Sequence, residues 1–176
     1  MTIVAHWAGI RRELLERSET DQDMRRQVED ATAQFTKPVP EALAVTWRQV
    51  DDDNTAWLKQ VVADHGWPLI SYVGEEAAHA AWLLAQHAGD LDWMEHTALR
   101  VMEEAAAAGE ATDRDVAYLK DRVLISTGRP QLSGTQWRQV GDEGGFALFP
   151  YDGTLEDVER RRAALGMPTI EDSRPS

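Results

Sequence analysis

A histidine, a carboxylate and a guanidinium stand in this chain where a purely structural helical protein would place apolar residues. Gln86 and His87 close the run His79-Ala-Ala-Trp-Leu-Leu-Ala, and Asp121 and Arg122 interrupt the run from Ala117 to Ile125. Gly134, Thr135 and Gln136 end a loop ahead of an expected strand. If these groups converge they supply a base, a cation and an amide, which is the equipment of proton transfer or of a grip on a polar ligand. His87 is the leading candidate for the proton-transfer group, because imidazole changes charge near neutral pH. Asp121 is a candidate to orient that ring or to act as a second acid, and Arg122 to clamp a carboxylate or phosphate through paired hydrogen bonds. Tyr118 shares a broad helical face with both. Trp67, beside Pro68, and Trp82, shortly before His87, are candidate cavity walls. The opposing reading has His87 bonding the last carbonyls of its own helix, and Asp121 and Arg122 forming an interhelical brace.

The elements that must hold these groups are mostly helices. Ile3, Trp7, Ile10, Leu14 and Leu15 recur at helical spacing and predict a helix over 3–34. The polar stretch from Ser18 to Asp23 is either a break with a new cap or the exposed middle of one long helix. Lys37-Pro-Val-Pro40 stops it, which makes 36–42 a connector. Asp51-Asp-Asp-Asn-Thr55 reads as caps before a second helix carrying Trp57, Leu58, Val61 and Val62, and Gly66 ends that helix. Gly74-Glu-Glu opens an alanine-rich helix to about His87, and a fourth helix covers 91–108. Thr112 caps a fifth that reaches Thr127. Gln136–Val140 and Phe146–Phe149 flank a glycine-rich turn as a β-hairpin. Thr154 caps a last helix over 155–165, and the tail from 171 is expected to fray. The fold class is therefore mainly α: a single-domain bundle of five to six helices over 1–170, with a small C-terminal β-hairpin.

Composition narrows the functional classes. Over 176 residues, 43% hydrophobic and 28% charged are ordinary for a globular chain, but a net charge of −13 is not. So large a deficit of cations argues against a nucleic-acid binder that tracks phosphates and against docking on an anionic membrane. With no cysteine, thiolate catalysis, disulfides and cysteine-ligated metals are excluded. No stretch approaches the roughly 18 apolar residues of a membrane span. The start, with Arg11-Arg12-Glu13 soon after Trp7, does not read as a secretory signal. A cytoplasmic location is the expectation. Phosphate-loop, dinucleotide and nucleophile-elbow signatures are absent, and so is His-Glu-x-x-His.

In combination and in order, the motifs resemble the bacterial family known as domain of unknown function family 6624. They are Asp21-Gln22-Asp-Met-Arg25, Asp53-Asn54 leading to His65-Gly66-Trp67-Pro68, and Ala80-Ala81-Trp82 through Gln86-His87-Ala88. Ala117-Tyr118-Leu119-x-Asp121-Arg122-Val123 follows, then Gly128-x-x-Gln131-x-x-Gly134-Thr135-Gln136, Arg161-Arg162 and Leu165-Gly166. Ser133 departs from the tyrosine usual before Gly-Thr-Gln in that family. The resemblance implies a shared polar site formed by Asp21, Arg25, His87, Asp121, Arg122, Gln131 and Gln136, and it brings no activity with it.

Three functions remain open. The first is a cofactor-independent enzyme doing acid–base chemistry on a small molecule or peptide. Here Arg122 or Arg25 clamps an anion, Gln131 and Gln136 position the ligand, and a homodimer is compatible. The second is an acidic, immunity-type binding module whose polar cluster is an internal brace. The third is a metal-dependent hydrolase using His87, Asp21, Asp53 or Asp121, for which no spacing speaks.

Overall fold

The computed structural model describes residues 3–32, 37–141 and 145–175, with side chains from His6 onward. The expected mainly helical fold with a small C-terminal hairpin is what the chain adopts. It divides into two compact units, Met1–Ala111 and Thr112–Ser176. No helix among the described residues is long and apolar enough to cross a membrane.

The first unit is built on two long helices, α1 (Ile3–Ala31) and α2 (Glu41–His65). Helix α1 runs without a break through Ser18–Asp23, so the stretch open to two readings is the middle of one helix. Its end beyond Thr32, expected near residue 34, lies outside the described residues. Trp7, Ile10, Leu14, Met24 and Val28 are buried at alternating steps of three and four, the spacing that keeps side chains on one helical face. Arg17 and Asp21 occupy two positions of that same stripe. In α2 the stripe reads Trp47, Asp51, Asn54, Leu58, Val61, again with two polar members.

The start of α2 corrects the sequence reading. It lies at Glu41, with Pro40 at the cap position, and Asp51–Thr55 falls in the helix interior. Nothing in Glu41–Val50 breaks a helix, and three of the polar residues that resembled caps have partners: Asp51 and Asp53 hold arginines, and Thr55 Oγ1 donates to the Asp51 carbonyl at 2.6 Å. Gly66 ends α2 with φ +79°, its N–H donating to the Val62 carbonyl.

A short helix α3 (Ile70–Val73) leads into α4 (Glu75–Gln86). Its small buried residues Ala77, Ala78, Ala80, Ala81 and Ala85 let α4 pack closely on α1 and α2. The helical run from Leu91 to Ala107 is continuous but contains a π-helical turn, giving α5 (Leu91–Trp93), the π segment Met94–Ala98 and α6 (Leu99–Ala107).

The second unit comprises α7 (Asp113–Ser126), the strands β1 (Trp137–Val140) and β2 (Gly145–Leu148), and α8 (Leu155–Ala164). Thr112 caps α7 by accepting from the Asp115 N–H, and Thr154 with Asp157 forms a reciprocal capping box on α8. The strands pair antiparallel with Trp137 opposite Leu148 and Val140 opposite Gly145. Most of the turn between them lies outside the described residues. The residues expected to fray carry local anchorage: Ser173 N–H donates to the Thr169 carbonyl, and Arg162 Nη2 donates to Ser173 Oγ.

Between α7 and β1 the loop 131–136 is held from two sides. Arg162, 1% exposed, donates Nη1 to the carbonyls of Ser133 at 2.9 Å and Gly134 at 3.1 Å. Asp121, fully buried, accepts from the N–H groups of Leu132, Ser133 and Thr135. Gly134 is required here on two counts. Its φ is +63°, and a Cβ would fall 2.6 Å from Ile170 Cδ1 and 3.0 Å from Val158 Cγ1. Gly134→Ala is expected to destabilise the protein by about 1–3 kcal/mol, checked by urea denaturation followed by circular dichroism. A neutral result would mean that the loop can relax without cost.

Candidate functional site

His87 arrives at the C-terminal end of α4, its N–H donating to the Leu83 carbonyl at 3.2 Å. Its ring meets α1. Nδ1 stands 2.9 and 3.0 Å from the two carboxylate oxygens of Asp21, a side chain only 1% exposed. Arg25, one turn along α1, donates to both Asp21 oxygens at 3.3 Å and reaches Asp51 Oδ1 on α2 at 3.0 Å through Nη2. Gln22 Nε2 donates to Asp21 Oδ2 at 2.9 Å. The Arg25 guanidinium also lies over the Trp47 ring, 5.3 Å from its centroid. Three helices therefore contribute one buried carboxylate, one arginine, one imidazole and a second carboxylate.

Arg25 Nε is 2.9 Å from the same Nδ1, so arginine and aspartate compete for one nitrogen. The charge on Asp21 decides the contest. Burial pushes its carboxyl up, but the hydrogen bond and charge of His87 and the charge of Arg25 outweigh burial and hold it below the usual carboxylate range. An ionised Asp21 offers only lone pairs, and a bare Nδ1 facing it at 2.9 Å would set acceptor against acceptor. A proton on Nδ1 relieves that clash, and the other ring nitrogen is Nε2. That atom makes no hydrogen bond among the described residues, while the side chain keeps 19% of its surface exposed.

Asp51 behaves oppositely. Burial raises its carboxyl, Arg25 draws it back, and the negative charge of Asp21 adds to the rise, leaving it above the usual range. Two carboxylates in one cluster, one held down and one pushed up, form the arrangement in which acid and base roles separate.

The structure brings together only part of the site expected from sequence. Asp21, Arg25 and His87 meet. The carboxylate that orients His87 is Asp21, which corrects the assignment of that role to Asp121. The reason is saturation: Asp121 accepts three backbone N–H groups and the Thr135 hydroxyl, all inside its own unit. Gln131 is likewise spent on the backbone, donating to the Gln136 and Phe149 carbonyls and accepting from the Gln136 N–H. Gln136 is half-buried and donates Nε2 to Thr135 Oγ1. Arg122 is exposed on α7, and Tyr118 lies beneath the Arg114 guanidinium. Trp67 and Trp82 are both buried in the first unit, Trp82 against the His79 ring.

Asp51, Trp47 and Gln22 belong to the cluster and were not singled out from sequence. The available signal was a charged residue inside the buried stripe of α2. No group of three or more His, Asp or Glu side chains among the described residues forms a metal-holding set. The Arg25 guanidinium occupies the place between Asp21, Asp51 and His87 where a cation would sit, and Asp53 is paired with Arg17.

Fold and site together define a mainly helical protein organised around a buried aspartate–histidine pair braced by arginine. The chain belongs to the family of unknown function DUF6624, whose family model matches residues 8–174, so the resemblance carried by the motifs holds. Among curated proteins and solved structures, nothing matches it.

The two carboxylates predict opposite pH behaviour. Asp21, lowered in the fold, contributes stability above its unfolded value of about 3.9 and loses it as pH falls through its folded value. Asp51, raised, contributes stability below its unfolded value and loses it as pH rises through its folded value. Asp21→Asn should therefore cost about 3 kcal/mol at neutral pH, the gap to wild type narrowing toward pH of about 3. For Asp51→Asn the difference from wild type should move in the variant's favour as pH rises over the same range. Urea denaturation at a series of pH values reads both slopes, and equal signs would refute the assignment. Asp121→Asn places an amide donor against a nest of N–H groups, and a loss of about 2–3 kcal/mol is expected in the same assay.

Proposed function

We propose that this chain is an enzyme of general acid–base chemistry, with His87 Nε2 as the atom that takes and returns a proton. One observation carries the reading: Asp21, 1% exposed, stands 2.9 Å from Nδ1 while Nε2 has no partner among the described residues, so that with the proton on Nδ1 the Nε2 lone pair is left for a ligand. A proton abstracted from a ligand goes to Nε2, and the imidazolium so formed faces Asp21, which stabilises it without itself taking the proton. Arg25 fixes Asp21 from the opposite side and, over Trp47, is positioned rather than free to pair with the incoming ligand. Asp51 is the carboxylate that accepts a proton more readily, which suits it to a second acid. The substrate class is a small molecule or peptide, and the setting a tailoring step in the cytoplasm of a bacterium.

A second reading, an acidic immunity-type module with this cluster as its brace, draws on the net charge of −13. It requires a basic partner whose affinity falls steeply with salt. The two separate on the state of one ring. Long-range proton–nitrogen NMR should show His87 in the Nδ1–H tautomer in the wild type and a different population in Asp21→Asn. An Nε2–H tautomer in the wild type would remove the proton acceptor and the enzymatic reading with it. His87→Gln should keep the helical circular dichroism of the wild type, with a lowered melting temperature, while losing turnover in a substrate panel followed by mass spectrometry.

A further inference from the structure

Nδ1 of His87 has two neighbours of opposite hydrogen-bonding character at the same distance. Asp21 offers acceptor oxygens at 2.9 and 3.0 Å, and Arg25 points its Nε–H at the same atom from 2.9 Å. A guanidinium carries donors only, and an ionised carboxylate acceptors only. With a proton on Nδ1, the ring bonds to Asp21 and sets that N–H against the N–H of Arg25. Without one, Nδ1 accepts from Arg25 and sets its lone pair against the oxygens of Asp21. Each tautomer of the neutral ring therefore satisfies one neighbour and opposes the other.

Neither neighbour is stranded when it loses the ring. Asp21 keeps the Gln22 amide at 2.9 Å and Arg25 Nη2 at 3.3 Å. Arg25 keeps both oxygens of Asp21 at 3.3 Å and Asp51 at 3.0 Å, with Trp47 against its face. A buried group left without a partner is the penalty that ordinarily holds a histidine in one tautomer. Here it is absent from both forms. The exchange changes no net charge and requires no helix to move. One proton changes place on the ring, and Nε2 turns from acceptor to donor.

We infer that Arg25 is a positioning residue that keeps His87 in two tautomers, Nδ1–H in the larger share and Nε2–H in a measurable minority. The consequence for chemistry rests on the acid–base reading, whereas the exchange itself needs no turnover. The majority form presents a lone pair to a ligand group with a proton to give. The minority form presents Nε2–H to an acceptor oxygen such as a carbonyl. A ligand draws the ring toward the form it pairs with.

Long-range proton–nitrogen NMR at pH of about 8, above the ordinary imidazole range, reads the ratio from the two ring nitrogens. In the wild type both should resonate between the tautomer limits, nearer to Nδ1–H. A scalar coupling across the N–H···N bond, from Arg25 Nε to His87 Nδ1, should accompany them, because only the Nε2–H form makes that bond. Arg25→Lys keeps the charge but puts a methylene where Nε stands. It should lower the ratio of Nε2–H to Nδ1–H at least about tenfold and abolish the coupling. Asp21→Asn should raise the ratio and strengthen the coupling. The wild-type coupling needs no variant, so a substitution that fails to fold leaves the test intact. A ring at the Nδ1–H limit with no coupling would leave the acid–base reading standing and overturn this one. A ring wholly in the Nε2–H form would overturn both. A ratio unchanged in Arg25→Lys would remove Arg25 from the role.

Discussion

The organisation of the first unit depends on keeping one carboxylate ionised away from water. Asp21 lies in the stripe that α1 buries, where an uncompensated charge would cost several kcal/mol (roughly 3–5 for a broken buried pair). Its compensation comes from donors on Gln22, Arg25 and His87, so α1 and α4 cannot separate without exposing that charge to a poorer environment. Arg25 extends the constraint to α2 through Asp51. Apolar packing of Leu14, Leu58, Leu84 and their neighbours supplies the bulk of burial, but it is indifferent to a one-turn slip. The ionic cluster is not, because bonds of about 3 Å admit one register.

The second unit solves the same problem with different donors. Asp121 is as buried as Asp21 and as well satisfied, but by backbone N–H groups and a threonine hydroxyl. None of those donors titrates near neutral pH or can hand a proton onward. Arg162 balances the charge through the loop, gripping carbonyls of the segment whose N–H groups Asp121 accepts. The loop is thereby fixed from both polar sides of its backbone. Asp21, by contrast, has a titratable ring among its partners, and the far nitrogen of that ring is unengaged among the described residues.

Helix positions and most ends were readable from apolar spacing and from Gly66, Thr112 and Thr154, because these follow from local stereochemistry. The start of α2 was not readable, and the reason is physical. Asp51 and Asn54 sit in the buried stripe, so the apolar periodicity breaks where the helix does not, and a run of acidic residues then resembles a cap. Asp21 and Arg25 were legible as members of one motif, and His87 as an outlier at the end of an apolar run. Which aspartate His87 meets depends on how α1 and α4 pack, and spacing along the chain carries no such information. Asp121 was attractive for the reason that makes it structural: a charge in the middle of an apolar helix is there to satisfy something, and in this chain that is the loop 131–136.

A brace made only to hold helices together would be expected to balance its charges, and this one does not. With His87 neutral, Asp21 and Asp51 set two carboxylates against the single guanidinium of Arg25, leaving one net negative charge among four partly or fully buried side chains. A proton on Nε2 would bring that count to zero. On the acid–base reading proposed above, the charge formed would meet a fixed partner and need no solvent reorganisation. The same deficit recurs one turn away, where Glu13, Glu16 and Asp53 surround Arg17. Along this groove the protein supplies negative charge in excess of its own cations.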